Sequence, residues 1–247
     1  MINNISIVIP AYNEEANIER TLLEVYNYLQ KQKLGFEILV MNDGSTDQTS
    51  QRVGELLRGR REIKLIDNPT NRGKGAVIKE SMKLVQNDYF LFMDADNSTP
   101  ITEIKKFIPF LEQGVPAVIG SRYLNTSRII YPQPRTRQIL GRGYRLLSRL
   151  LFGLSLSDFN CGFKAYRTDI AKSIFQQMRM NDWTFDIELL YLFTQSQIQI
   201  QEVPIDWSHV EKKSHQMIFG TALRSLINLF YLRISLFNHA STESGAR

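Results

Sequence analysis

Two carboxylates one residue apart, Asp94 and Asp96, follow the run Tyr89-Phe90-Leu91-Phe92-Met93. Five consecutive apolar residues are too few for a helix and predict a buried strand. In extended backbone, side chains at i and i+2 point the same way, so the two charges repel unless a cation lies between them. A hard divalent ion held by oxygens, its other positions filled by substrate phosphates, meets that need. Asp94 and Asp96 are therefore candidate ligands for Mg2+ or Mn2+. Such a pair also serves simply to cap the next helix, and Ser98-Thr99-Pro100 has the composition of a cap.

The elements that must position this pair can be read on either side of it. Ile5-Ser6-Ile7-Val8-Ile9 is a β-branched strand stopped by Pro10, and the helix after it begins near Asn13, with Ile18, Leu22, Val25 and Leu29 on one face. Residues 36–41 and 63–66 are further strands; Asp47 caps a helix carrying Val53 and Leu56, and 73–85 is a third helix. Strand alternating with helix predicts an α/β chain whose mostly parallel sheet is flanked by helices and binds ligands at the carboxyl ends of its strands. The polar loops collect at those ends: Pro10-Ala11-Tyr12-Asn13-Glu14, Asn42-Asp43-Gly44-Ser45-Thr46-Asp47, Asn71-Arg72-Gly73-Lys74-Gly75 and Asp94-Ala95-Asp96. Capping explains any one of them; four on one edge make a site. Lys74 is either a phosphate neutraliser or a solvated lysine. No Gly-x-Gly-x-x-Gly follows the first strand, and no Walker loop occurs.

At 247 residues and 43% hydrophobic the chain can bury one substantial core, and no repeat divides it. We read a catalytic domain over residues 1–210 and, over 211–247, a basic loop, an amphipathic helix and a disordered tail. The single cysteine, Cys161, excludes an internal disulfide. The N-terminus enters a strand without a basic segment and an apolar run, which predicts no signal peptide and a cytoplasmic chain.

The acceptor side is marked by charge. Between Glu112 and Asp158 no acidic residue occurs, yet Arg122, Arg128, Arg135, Arg137, Arg142, Arg145 and Arg149 do, with no lysine. Arginine's planar fork binds phosphate bidentately, and an unrelieved cationic patch is attracted to anionic lipid. Ile129, Ile130, Tyr131, Ile139, Leu140, Leu146, Leu147, Leu150, Leu151 and Phe152 are interleaved, so residues 136–152 suit an amphipathic helix against a membrane face. A solvated helix is the plainer alternative. A basic nucleic-acid surface is the other-class reading, but no nucleic-acid module is present and an acidic metal edge repels a polyanion, so no nucleic acid is expected.

Residues 169–178 and 183–193 read as helices and 198–203 as a last strand. Trp183 suits a core or a sugar platform equally. Lys212, Lys213, Ser214 and His215 form a basic loop able to close over a diphosphate or simply to stay solvated. In residues 218–237, Arg224 and Asn228 sit mid-segment, and a central Arg costs about 2.5–3.5 kcal/mol in hydrocarbon. An amphipathic helix with Leu226, Phe230 and Ile234 on one face, opposite Ser225, Asn228 and Ser235, is therefore expected at the membrane interface or against a partner protein or second copy.

The four loop motifs resemble those of family-2 glycosyltransferases with the GT-A (Rossmann-like) fold. Gly120-Ser121-Arg122, Asp158-Phe159-Asn160-Cys161-Gly162-Phe163-Lys164, Trp183-Thr184-Phe185-Asp186-Ile187-Glu188 and Glu202-Val203-Pro204 resemble the branch that transfers sugar to polyprenyl or dolichyl phosphate, dolichyl-phosphate β-glucosyltransferases before mannosyl enzymes. The resemblance implies nucleotide-sugar contacts at Pro10, Ala11, Tyr12, Glu14, Asp43, Lys74, Asp94, Ala95, Asp96, Asp186 and Glu188, with metal on Asp94 and Asp96. The arginine run, with Lys164 of the motif, gives Arg122, Arg128, Arg135 and Lys164 as the expected acceptor contacts, and the resemblance implies a β-linked product from an α-linked donor, UDP-glucose or alternatively GDP-mannose. The place of work is the cytoplasmic face of a membrane. The chain departs from the family in Asn42-Asp43, where many members have two aspartates, and in Asn97-Ser98-Thr99, where mannosyl enzymes commonly have glutamine; the latter favours glucose. Asp158 stands, by analogy, where members acting on alcohols place a base. A phosphate acceptor, with a second pKa of about 6, is already mostly dianionic, so Asp158 joins Asp94 and Asp96 as a catalytic residue in a positioning part.

Overall fold

Strand β1 (Asn4–Ala11) is buried on both faces because its alternate side chains feed two separate cores. In the computed structural model, which describes residues 2, 4–32, 34–210 and 224–236, Ile5, Ile7 and Ile9 point to one core and Val8 to the other. Helix α1 (Ile18–Gln32) covers the first core with Ile18, Leu22, Val25 and Leu29. The chain continues through β2 (Gly35–Asp43), α2 (Thr49–Leu56), β3 (Ile63–Asn68), α3 (Lys74–Ser81) and β4 (Tyr89–Met93). A 3-10 helix (Ile101–Lys106), α4 (Ile108–Glu112), β5 (Ala117–Ser121), β6 (Arg128–Tyr131) and α5 (Arg135–Phe152) follow. Last come β7 (Phe163–Arg167), α6 (Thr168–Gln177), α7 (Phe185–Gln195), β8 (Ile200–Pro204), β9 (Asp206–Ser208) and a helix over residues 224–236, α8.

The main sheet has the order β3-β2-β1-β4-β7-β5-β8, parallel except for β7, which runs antiparallel to β4 and β5. α1, α2 and the 3-10 helix cover one face; α3, α6, α7 and α8 cover the other. Strands β6 and β9 form a separate parallel pair. This is the expected mostly parallel sheet flanked by helices. The antiparallel β7 was not expected, and it matters most: its register sets Phe163 opposite Met93, so the loop entering β7 lies beside the carboxyl end of β4.

Two expected boundaries shift. The first helix starts at Ile18, after a turn, because residues 13–15 are bonded to the loop after β2. Pro100 precedes the 3-10 helix with extended backbone, and its side of Ser98 is spent on Asp96 instead of a helix cap.

The C-terminal helix also differs from expectation. Leu229 and Leu232 are buried in the second core, Asn228 bonds Asp182, and the Arg179 guanidinium donates to Ser235 Oγ at 3.0 Å. Its polar edge thus faces the protein, where the expected arrangement turned it to water, because Asp182 and Arg179 supply partners there. Ile227, Phe230, Tyr231 and Ile234 are exposed. The expected basic loop at 212–215 and the tail from Asn238 lie outside the described residues. No helix among the described residues is long and apolar enough to cross a membrane.

Candidate active site

Asp94 and Asp96 follow the end of β4 in a turn closed by the Asn97 N–H on the Asp94 carbonyl at 3.3 Å, where extended backbone was expected, and each is oriented by a neighbour. Ser98 donates its backbone N–H (3.0 Å) and hydroxyl (2.6 Å) to Asp96 Oδ1. The Asp94 carboxylate lies directly over the Cα of Gly162, so close that a Cβ at that position would overlap Oδ1, Oδ2 and Cγ. The antiparallel β7 makes this approach possible, and only glycine fits it.

Lys74 reaches the same carboxylate from the first turn of α3, its ammonium 2.6 Å from Asp94 Oδ1. The ammonium also lies 4.9 Å from the ring centroid of Trp183 and 5.9 Å from that of Phe92. Burial alone would lower the Lys74 pKa; Asp94, Asp186 and Asp96 outweigh it and hold the group above its usual value. Trp183, half exposed at 53%, belongs to the site surface and not to the core.

The loop bearing Lys74 is set by contacts no local sequence pattern announces. Asp43 accepts the backbone N–H of Arg72 and of Gly73, each at 2.8 Å. Gly73 sits at φ +97°, a conformation glycine adopts without strain, and its Cα packs against the Asn181 carbonyl. Gly75 N–H donates to that carbonyl at 2.7 Å. The 179–181 segment is held in turn by Glu188, whose carboxylate accepts the N–H groups of Arg179 (2.9 Å) and Met180 (2.8 Å). Burial raises the Glu188 pKa, against the pull of those N–H groups. Glu188 has no exposed surface, so the expectation of a contact with sugar hydroxyls is corrected: it holds the loop that holds Lys74.

Lys164 is likewise fully buried at 0% exposure, with its ammonium bonded to Asp186 and, at 2.8 Å, to the Phe159 carbonyl. It faces inward because it pairs with Phe92 across β4 and β7, on the face covered by α7. The expected acceptor contact is corrected for the same reason: Lys164 ties α7 to the loop entering β7 and offers nothing at the surface. Burial pushes the Asp186 pKa up, while Lys164 and Lys74 pull it down.

Arg122, at the end of β5, forks onto Asp158: Nε to Oδ2 at 2.7 Å and Nη2 to Oδ1 at 2.8 Å, with the Arg122 N–H at 3.1 Å from Oδ2. Burial would raise the Asp158 pKa, but the Arg122 charge and hydrogen bonds hold it below the usual carboxylate range. Glu202 Oε1 accepts the N–H groups of Ser157 (2.9 Å) and Asp158 (3.1 Å), bracing this loop from β8. The Arg122 guanidinium lies 5.3 Å from the Trp207 ring centroid, and Arg145 reaches from α5 to 3.7 Å from that of Tyr123. Arg128 and Arg135 sit on β6 and at the start of α5; among the described residues neither has a carboxylate partner.

On the β1–β2 side the two loops brace each other. Asn13 Oδ1 accepts the Thr46 N–H (2.8 Å), Asn13 N–H donates to Ser45 Oγ (2.9 Å), and Glu14 N–H to Thr49 Oγ1 (2.8 Å). Ala11, Glu14, Asp43 and Ala95 are buried, and Pro10 is half-buried. Tyr12 is the expected nucleotide residue whose ring is exposed.

Residues 6–175 match the family model for glycosyl transferase family 2. The chain belongs to that family. A dolichyl-phosphate beta-glucosyltransferase of Trichomonas vaginalis is 31% identical to this family-2 chain over 245 residues, covering 94% of this chain and 73% of its own length. A protein of the same name from Saccharomyces cerevisiae is 33% identical over 228 residues, covering 84% and 67%. In fold, this family-2 chain is similar to glucosyl-3-phosphoglycerate synthase from Mycobacterium tuberculosis in complex with Mn2+, uridine-diphosphate-glucose and phosphoglyceric acid. The TM-score is 0.69 at 19% identity, over 94% of this chain and 80% of that one.

Among the described residues of this family-2 site, no cluster of three His, Cys, Asp or Glu side chains stands ready for an ion. Two oriented carboxylates at an open edge, with the remaining positions left to diphosphate oxygens and water, nevertheless suit Mg2+ or Mn2+, which dehydrate reluctantly. The sequence reading named Ser98 only as part of a cap, Gly162 only inside its motif and Arg145 only within the arginine run, and gave none of them its part in orienting the site. For Gly162 the signal lay in its own motif, a glycine just before a strand; nothing local said which carboxylate it would meet.

Proposed function

We propose that this chain is an inverting glucosyltransferase that moves glucose from UDP-glucose to a dolichyl-type polyprenyl phosphate, with Mg2+ or Mn2+, at the cytoplasmic face of a membrane. The observation that carries the reading is the meeting of two surfaces. The loop that carries Asp96 meets β9, where the Ser98 carbonyl accepts the Ser208 N–H at 2.9 Å, and β9 pairs with β6; Arg122 and Arg145 share the Tyr123 ring and link the end of β5 to α5. On α5, Leu147, Leu151 and Phe152 pack on the second core, while Ile139, Leu146 and Leu150 form an outer stripe, Leu150 being 74% exposed. On β6, Ile129, Ile130 and Tyr131 are also exposed. Arginines beside exposed apolar side chains suit an anionic bilayer surface and a phosphate carried on a lipid.

The chemistry follows from charge. Asp94 and Asp96 would hold a divalent ion, which when bound would supply positive charge to the diphosphate as the leaving group. Lys74, now on Asp94, would supply a second positive charge to the same oxygens. Tyr12 offers a face to the base, and Trp183 one to the sugar. The acceptor's phosphate oxygen attacks the anomeric carbon opposite the leaving UDP, inverting it. Asp158 has a depressed pKa and a forked Arg122, which makes it a poor base and a firm anchor. Arg122, held by Asp158, and Arg145, which shares the Tyr123 ring with it, are with Arg128 and Arg135 the residues we assign to the acceptor phosphate.

The test is transfer from labelled UDP-glucose or GDP-mannose to a polyprenyl phosphate in detergent with Mn2+. The reading expects a solvent-extractable β-glucosyl lipid from UDP-glucose. Lipid labelled only from GDP-mannose would replace it with the mannosyl alternative, and no labelled lipid from either donor would overturn both.

A further inference from the structure

Lys74 and Asp94 form an ion pair at the metal-holding edge, so that an ammonium occupies the carboxylate. The Lys74 side chain is 11% exposed, held 2.6 Å from Asp94 Oδ1 between the faces of Trp183 and Phe92. On its other side the Asp94 carboxylate packs closely on the Cα of Gly162. An Mg2+ or Mn2+ ion sharing that carboxylate sits about 2 Å from its oxygens. Two cations on one carboxylate would then lie within about 6 Å of each other, in a partly desolvated pocket where like charges repel strongly.

We propose that Lys74 is a resident counter-cation that withholds Asp94 from a divalent ion until a nucleoside diphosphate arrives to take its ammonium. The inference rests on the reading of Asp94 and Asp96 as the metal-holding pair. Diphosphate changes the balance because it brings its own negative charge to the place where both cations must lie. The flexible four-carbon stem lets the ammonium turn from Asp94 to a phosphate oxygen without moving the backbone that Asp43 and Asn181 hold. Metal and nucleotide binding are therefore coupled through one side chain, and by linkage each tightens the other by the same factor. The device keeps Asp94 neutralised and closed to divalent ions when no donor is bound.

The experiment measures Mn2+ binding directly, by the loss of the free-ion electron paramagnetic resonance signal, on the full chain with and without UDP. Wild type is expected to bind Mn2+ at least tenfold more tightly with UDP than without. In the absence of UDP, Lys74→Met is expected to bind Mn2+ about tenfold more tightly than wild type and to lose most of the enhancement by UDP. Lys74→Arg, which keeps the charge, is expected to behave as wild type. Equal Mn2+ affinity of wild type with and without UDP overturns the proposal while leaving the metal reading intact, and this comparison needs no variant. Equal affinity of Lys74→Met and wild type without UDP overturns the role of Lys74. No Mn2+ binding even with UDP overturns both the proposal and the assignment of Asp94 and Asp96.

Discussion

The Asp94 carboxylate rests on the Cα of Gly162, and no side chain can be accommodated between them. Gly162→Ala is therefore expected to push Asp94 off its position without creating a cavity or burying a charge. A displacement of about 1 Å at a reacting site costs on the order of 100-fold in rate. Steady-state turnover should fall by about that factor while circular dichroism stays that of wild type. Turnover within twofold of wild type would show that the close approach has no functional weight.

Asp96 is oriented by Ser98 and is largely outside the core, so Asp96→Asn should remove activity without unfolding the protein. Excess EDTA should do the same to wild type, and added Mn2+ should restore it. A fully active chain in EDTA would contradict the use of a divalent ion.

The Arg122–Asp158 pair predicts a definite pH dependence. Asp158 has a folded pKa below its unfolded value of about 3.9, so its stabilisation is present above that value and lost as pH falls through the folded one. Asp158→Asn leaves Arg122 without its charged partner, at about 3 kcal/mol, or about 6–12 °C in Tm at pH 7. Thermal melts from neutral pH down to about 3.5 should show the difference from wild type shrinking below pH 4. A difference that grows with acidification would place the stabilising charge elsewhere. Provided both variants fold at the assay temperature, Asp158→Asn should also retain more turnover than Asp96→Asn, since a dianionic phosphate needs no base.

The outer stripe of α5 gives a prediction about lipid. Leu146 and Leu150 are already exposed, so replacing both with Gln should leave Tm within about 2 °C. If the stripe enters a bilayer interface, each loses about 1.5–3 kcal/mol of apolar transfer, and co-sedimentation with anionic vesicles should weaken at least tenfold. Unchanged sedimentation would move the membrane contact away from α5.

The sequence by itself determined the alternation of strands and helices, the four polar loops on one sheet edge, the paired carboxylates and the acid-free arginine run. Those are local properties: side-chain period, apolar run length and the position of Pro and Gly relative to a strand end. The direction of β7 is not local. Phe163-Lys164-Ala165-Tyr166-Arg167 reads the same parallel or antiparallel, and only its pairing with β4 and β5 brings Gly162 to Asp94 and turns Lys164 toward Asp186. The roles of Glu188 and Asp43 were hidden for a similar reason, since an acid in a helix's first turn or at a strand end looks alike whether it meets a ligand or a backbone N–H. The helix 224–236 shows the same division. Its amphipathic pattern was legible, but Asn228 and Ser235 turned inward because Asp182 and Arg179, far away in the chain, supply the hydrogen-bond partners that a polar side chain must keep when it leaves water.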